Sequence, residues 1–198
     1  RNHRVDTPLA LMGSSSYIKY EPKGVVLIVS PWNFPINLTF GPLVPAIAAG
    51  NTVILKPSEQ TPNASAIMRK IISEVFPENE VALVEGGIPT SKDLMALPFN
   101  HVFFTGAPSI GKIYMAAAAK HLTSVTLELG GKSPTIVDES ASVDTAARRI
   151  AWAKYMNNGQ ICIAPDYIFV HESKKQAFLD KVREYLKSFY TEDASQEV

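Results

Sequence analysis

Cysteine is almost missing from this sequence: its 198 residues include one, Cys162. A single thiol excludes a disulfide within the chain and fits a reducing compartment. Net charge is missing as well, since 19 Lys and Arg balance 19 Asp and Glu, and the lysines are scattered rather than striped. Such a chain has no electrostatic footprint for a phosphate backbone, so no nucleic-acid partner is expected. Apolar runs are short, none approaching the ~20 residues of a membrane span, and the opening RNHRVDTPLALMGSSS lacks the apolar core of a signal peptide. Together these absences predict a soluble, cytoplasmic protein without a membrane partner. His3, His101, His121 and His171 lie far apart with no metal-ligand spacing, so no metal is expected. The dinucleotide fingerprint G-x-G-x-x-G does not occur.

Apolar residues, by contrast, are plentiful: 46% of the chain against 19% charged, a balance that specifies a packed globular core. Five runs rich in β-branched residues stand out: GVVLIVSP at 24–31, NTVILKP at 51–57, EVALVEGG at 80–87, HVFFTG at 101–106 and SVTLELGG at 124–131. Each ends in proline or glycine and is apolar nearly throughout, the pattern of strands covered on both faces. In NASAIMRKIISEVF, 63–76, Ala66, Ile67, Ile71 and Val75 recur at helical spacing, and PSIGKIYMAAAAKH, 108–121, opens on a proline suited to a first helical turn. Strands alternating with helices predict an α/β fold, a mostly parallel sheet with helices on both faces. The last third reads as two strands, KSPTIVD and DYIFVHES, around a helix stopped by Gly159. An amphipathic helix follows, with Phe178, Val182, Tyr185, Leu186 and Phe189 on one side. A boundary is expected near Gly130 and Gly131. It separates a unit of 1–130 from the start of a second α/β unit, 131–198, that is thin for an independent core.

Residues able to do chemistry gather at the strand ends. GAPSIGKI, 106–113, is one residue short of the phosphate loop G-x-x-x-x-G-K-[ST], with Ile113 where a magnesium-binding hydroxyl belongs. With TIVD, ending at Asp138, as a second metal-facing strand, a nucleotide triphosphatase is one reading. A-x-S-x-G around Ser109 is a loose nucleophile elbow without a matched acid–histidine pair. A tight strand-to-helix turn whose amides receive a pyrophosphate is another reading. In KPSEQTP, 56–62, Lys56 and Glu59 leave the sheet at its carboxyl edge, where open α/β sheets bind ligands. Glu59 there either accepts hydrogen bonds from a ribose diol or sits in a surface ion pair. SPWNFP, 30–35, holds Asn33 between two prolines, as a rigid amide of the kind an oxyanion needs or as a cap in a buried turn. LELGGKSP, 127–134, sets Glu128 at an apolar strand end. A carboxylate is costly to bury there unless it is paired with a lysine or kept near neutrality, the latter a general base. NNGQICIAPDY, 157–167, holds Cys162, and a lone cysteine is ordinarily a small, inert core residue.

Taken together, PWNFP, KPSEQTP, FTG-x4-G, LELGGKSP and GQICIAPDY resemble the aldehyde dehydrogenase superfamily, in its order and spacing, from about Gly13 to the C-terminus. GQICIAPDY and AAAAKHLTSVTLELGGKSP look most like the class 3 branch, with its fatty, aromatic and coniferyl-type aldehyde dehydrogenases. The resemblance implies that 1–130 is a Rossmann-like NAD(P)-binding domain and 131–198 the N-terminal part of a catalytic domain. It implies oxidation of an aldehyde to a carboxylic acid through a thiohemiacetal and a thioester. Cys162 is then the nucleophile, Asn33 and the Cys162 amide hold the oxyanion, and Glu128 activates the hydrolytic water. For NAD it implies contacts from Trp32, Lys56, Glu59, Gly106, Ala107, Gly111 and Leu129. Glu59 favours NAD because a carboxylate repels a 2′-phosphate, although class 3 relatives also accept NADP.

The resemblance further implies a homodimer for the whole enzyme. Ala107 departs from the family's usual polar residue and Pro108 from its common threonine, which removes a hydroxyl from the pyrophosphate. The chain ends before the family's E-x-F-G-P segment, so a truncated form without measurable turnover is expected. It should self-associate through the face of Phe178, Val182 and Phe189 and leave the Cys162 thiol open. A nucleotide-binding module without catalysis is the alternative.

Overall fold

In the computed structural model, which describes residues 3–190, a short antiparallel pair, β1 (His3–Val5) and β2 (Ser16–Ile18), precedes the main sheet. The five apolar runs become β3 (Val25–Val29), β4 (Thr52–Lys56), β5 (Val81–Leu83), β6 (His101–Gly106) and β7 (Ser124–Leu129). They lie in the order β5-β4-β3-β6-β7, and the pairs β3–β4, β3–β6 and β4–β5 are parallel. The chain starts at the central strand, builds outward to β5, then crosses back to β6 on the other side. That reversal opens a crevice at the carboxyl ends of β3 and β6, where doubly wound sheets take their ligands.

Four helices connect these strands: α1 (Asn37–Ala48), α2 (Pro62–Val75), α3 (Ile88–Met95) and α4 (Pro108–Ala119). Leu43 of α1 and Ile72 of α2 are buried with Val26, Ile28, Val53, Leu55 and Val81, and Phe103 packs against this cluster. Phe104 instead stacks on Tyr114 of α4, ring centres 4.8 Å apart. Neighbouring residues of a strand point to opposite faces, so helices cover the sheet on both sides. Helices α1 and α3 escape a periodicity reading. Helix α1 contains Pro42 and Pro45, each of which removes an amide donor and crowds the carbonyl four residues back. It forms because Thr39 and Leu43 are buried along it, so packing overrides local preference.

His101, the first residue of β6, is half-buried. Its Nδ1 lies 2.8 Å from Ser124 Oγ and its Nε2 3.2 Å from Thr126 Oγ1. Burial, and then the charge of Lys23, push its pKa below the ordinary 6.5. Below pH ~6.5 the unfolded chain therefore binds a proton that the folded chain resists, and stability falls as pH drops through that window. Denaturant unfolding measured from pH ~5 to ~7 should show stability rising with pH and levelling above 6.5. His101→Gln should flatten the rise; an unchanged slope in the variant refutes the assignment.

The chain divides into two compact units, Arg1–Glu128 and Leu129–Val198. In the second, β8 (Ser133–Val137) pairs in parallel with β9 (Pro165–Val170), with a bulge between Ser133 and Pro134. Helices α5 (Val143–Tyr155) and α6 (Lys175–Phe189) complete it. The side chain of Ser142 caps α5 by accepting from the Thr145 amide. The Tyr185 hydroxyl donates to Asp144 at 2.7 Å, tying α6 to α5. Val137, Ala147, Ile150 and Phe178 form the buried centre, with Val170, Val182 and Tyr185 packed against it.

This corrects in part the expectation that the apolar face of α6 lacks a partner: Phe178 and Val182 are packed into this centre, while Phe189 stays 39% exposed. The uncovered apolar surface lies on the sheet, where Ile136 and Phe169, paired in register, are 75% and 62% exposed. A two-stranded sheet has two faces, and α5 and α6 are spent on the one that bears Val137. Among the described residues, no helix is long and apolar enough to cross a membrane.

Candidate functional site

The carboxyl ends of β3 and β4 are tied together. The Ser30 amide donates to the Lys56 carbonyl at 3.1 Å. Ser30 Oγ shares a hydrogen bond with Thr39 Oγ1, which donates to the Pro35 carbonyl at 2.6 Å. Both side chains are buried, Ser30 at 4% and Thr39 at 0% exposure. This network pins the Pro-Trp-Asn-Phe-Pro loop to the start of α1, with Trp32 partly exposed and Asn33 half-buried. Sequence reasoning missed Ser30 and Thr39; their only local signal is a hydroxyl on either side of that loop.

Lys56 is 3% exposed, a burial that an ammonium tolerates only when hydrogen-bonded. Its Nζ donates to the Pro57 carbonyl at 3.1 Å and to Glu59 Oε2 at 3.0 Å. Of its three donors, these are the two engaged among the described residues. Glu59 is half-exposed. Its own amide first, and then the Lys56 ammonium, hold its carboxyl below the usual range. The pair therefore leaves the sheet edge as a fixed carboxylate beside a buried cation.

At the end of β6, Thr105 Oγ1 is buried and has no hydrogen-bond partner among the described residues. An orphaned buried hydroxyl costs about 1–3 kcal/mol unless a water or ligand atom meets it. Gly106 follows; a Cβ there would stand 2.7 Å from the Phe104 ring, so the glycine keeps that ring stacked on Tyr114. Ala107 sits at the N-cap of α4 without a side-chain hydrogen bond. The amides of Ile110 and Gly111 both return to its carbonyl at 3.0 Å.

The helix begins at Pro108, so Gly111, buried, and Lys112 lie inside α4. No four-residue loop remains to cradle a phosphate, and the triphosphatase reading fails on that geometry. Asp138 is also elsewhere: it follows β8 in the second unit, and its carboxylate accepts from the Ser140 amide and hydroxyl at 2.9 and 2.8 Å. The orphaned Thr105 hydroxyl, the spare Lys56 donor and the uncapped start of α4 suit a ligand rich in phosphate and hydroxyl oxygens.

Glu128, near the end of β7, is exposed rather than buried at an apolar strand end. Its strand β7 is an edge strand of the sheet, and Thr126, which points to the same face, is half-buried. Leu129, half-buried, opens the second unit. That unit carries Cys162, whereas Asn33, Lys56, Glu59, Gly106 and Glu128 belong to the first.

The Ala164 amide donates to the Ile161 carbonyl at 3.1 Å, which puts Cys162 and Ile163 at the corner of a turn. The thiol is free and exposed, so Cys162 is not a core residue. Just upstream, Asn157, Asn158 and Gly159 take φ of 50°, 53° and 76° in succession. Asparagine and glycine tolerate this left-handed backbone better than other residues. The chain thus reverses sharply before presenting the thiol.

The Aldehyde dehydrogenase family model matches residues 2–198. A rat protein named Aldehyde dehydrogenase, dimeric NADP-preferring, is 51% identical over 180 residues, covering 91% of this chain and 40% of the relative. Mouse Aldehyde dehydrogenase family 3 member A2 is 49% identical over 185 residues, covering 93% of this chain and 38% of the relative. A solved structure described as the substrate-bound state of Staphylococcus aureus AldH superposes with a TM-score of 0.93 at 49% identity, covering 99% of this chain and 43% of that one. The chain thus spans less than half the length of these relatives. Over nearly all of its own length, by sequence and by fold, this chain belongs to the aldehyde dehydrogenase family.

Proposed function

We propose that this chain supplies the cofactor-binding and nucleophile-bearing parts of an enzyme that oxidises an aldehyde to a carboxylic acid with NAD(P)+. The observation that carries the reading is a free, exposed thiol on a turn of a chain that belongs to this family. The Cys162 thiolate attacks the aldehyde carbon, and the carbonyl oxygen takes up the charge as the thiohemiacetal forms. Asn33, held by the Ser30–Thr39–Pro35 network, and the Cys162 amide donate to that oxygen. NAD(P)+, when bound, supplies the acceptor for the hydride that leaves the carbon. Glu128 takes a proton from the water that attacks the resulting thioester, which releases the acid and regenerates the thiolate.

The first unit is the cofactor domain and the second the beginning of the catalytic domain. Trp32, Lys56, Glu59, Gly106, Ala107, Gly111 and Leu129 line the cofactor site, with Thr105 added by its orphaned hydroxyl. The ribose diol accepts from Lys56 and donates to Glu59. A homodimer in the cytoplasm completes the proposal, supported by the word dimeric in the rat relative's name.

The test is calorimetric, on the full-length protein that contains this segment. NAD+ and NADP+ should bind, and ATP with magnesium should not. Glu59→Gln should raise NADP+ affinity relative to NAD+ by about 1 kcal/mol, several-fold, since one charge facing a 2′-phosphate in a partly solvated site is removed. An unchanged ratio would show that Glu59 does not face the ribose. Binding of ATP with magnesium in place of both dinucleotides would overturn the proposal as a whole.

A further inference from the structure

We infer that Gly131 is a positioning residue for the nucleophile: its missing side chain makes room for the main-chain carbonyl of Cys162, and thereby sets where the sulfur stands. The inference rests on the proposed role of Cys162. A Cβ at Gly131 would lie 2.7 Å from the Cys162 oxygen and 3.9 Å from its carbonyl carbon, with Ser133 Oγ next at 3.8 Å. Gly131 is not among the residues of positive φ, so its backbone is open to any L-residue and only space explains the glycine. Its neighbour Gly130 also lacks a positive φ, and a Cβ there would meet nothing within 4 Å. The two glycines of LELGGKSP thus differ in purpose, and the second belongs to the cysteine turn.

The contact cannot be relieved by rotating a side chain, because the opposing atom is backbone. Both partners are held. Gly131 leads directly into β8, where Ser133 pairs with Pro165. Cys162 is closed into its turn by the Ala164–Ile161 hydrogen bond, and Ala164 is 7% exposed. An added methyl group therefore moves the Cys162 peptide by several tenths of an ångström, and the Cα–Cβ–Sγ arm moves with it. Displacements approaching 1 Å at a reacting group cost about 100-fold in rate.

The experiment compares wild type, Gly131→Ala and Gly130→Ala in the full-length enzyme, reading kcat, the rate of the initial NADH burst, KM for NAD+ and the melting temperature. Gly131→Ala should slow the burst and kcat together by about 10- to 100-fold, while KM for NAD+ stays close to wild type and the protein keeps a cooperative thermal transition. A merely structural role would instead lower the melting temperature and leave the burst rate of the folded fraction unchanged. Gly130→Ala should melt like wild type. Burst and kcat within about twofold of wild type in Gly131→Ala would overturn the inference, and so would loss of its thermal transition, because the glycine would then serve the fold. Alkylation of Cys162 by iodoacetamide, followed against pH in the 198-residue chain, is the second measurement. Gly131→Ala should shift that profile and Gly130→Ala should not; coincident profiles count against the inference. Cys162→Ala run alongside separates the two ideas. If it is inactive while Gly131→Ala is unimpaired, only the positioning inference fails. If Cys162→Ala stays active, the nucleophile assignment itself fails.

Discussion

Cys162→Ala in the full-length enzyme is expected to abolish aldehyde oxidation, with a loss on the order of 10⁴-fold or more in kcat. The size follows from the chemistry. In the proposed mechanism the sulfur forms the covalent bond that turns an unreactive aldehyde carbon into a hydride donor and then holds the acyl group until water arrives. Within this chain no other cysteine can substitute, since it has one, and the next residue, Ile163, has no nucleophilic group. Cofactor binding should survive, because Lys56, Glu59 and Thr105 lie in the other unit. NAD+ calorimetry on the variant is therefore the control for folding. Retention of more than about a tenth of wild-type turnover would remove Cys162 from the mechanism.

Glu128→Gln should divide catalysis into its halves. Acylation needs the thiolate and the oxyanion donors; deacylation needs a base for water. The variant should keep an initial burst of NADH and lose about 10²- to 10⁴-fold in the steady state, the usual worth of a positioned general base. Glutamine preserves the shape and removes the basic oxygen. Because Glu128 is exposed in this chain, its replacement should leave melting close to wild type. Burst and steady state falling by equal factors would mean that Glu128 acts on the thiol rather than on water.

Local chemistry carried much of this into view. Strands β3 to β7 fall inside the five apolar runs because near-continuous β-branched apolarity in short runs suits strands covered on both faces. Helices α2 and α4 were legible from their spacing and from Pro62 and Pro108 at their starts. Helix α1 was not, because Pro42 and Pro45 argue against a helix locally and only burial of Thr39 and Leu43 argues for one. The candidate site shows the same division. Motif order pointed to Cys162, Glu128, Asn33, Lys56 and Glu59, yet no motif marks Ser30 and Thr39 as the anchors of the Asn33 loop.

By itself the sequence determined the fold class, the family and the residue types available at each strand end. These depend on period, composition and spacing, which are properties of neighbours along the chain. Tertiary structure alone decided that Glu128 is exposed in this chain, because burial depends on what packs over the end of β7 and not on its sequence neighbours. It decided that GAPSIGKI is not a phosphate loop, because the helix starts at Pro108 rather than at Gly111. It decided that Phe178 and Val182 of α6 are packed and the face of Ile136 and Phe169 is open. It also decided the separate purposes of Gly130 and Gly131, adjacent and identical in sequence, since only Gly131 faces the carbonyl of a residue that follows it by some thirty positions. Distances of that kind are set by how elements pack, and no local pattern encodes them.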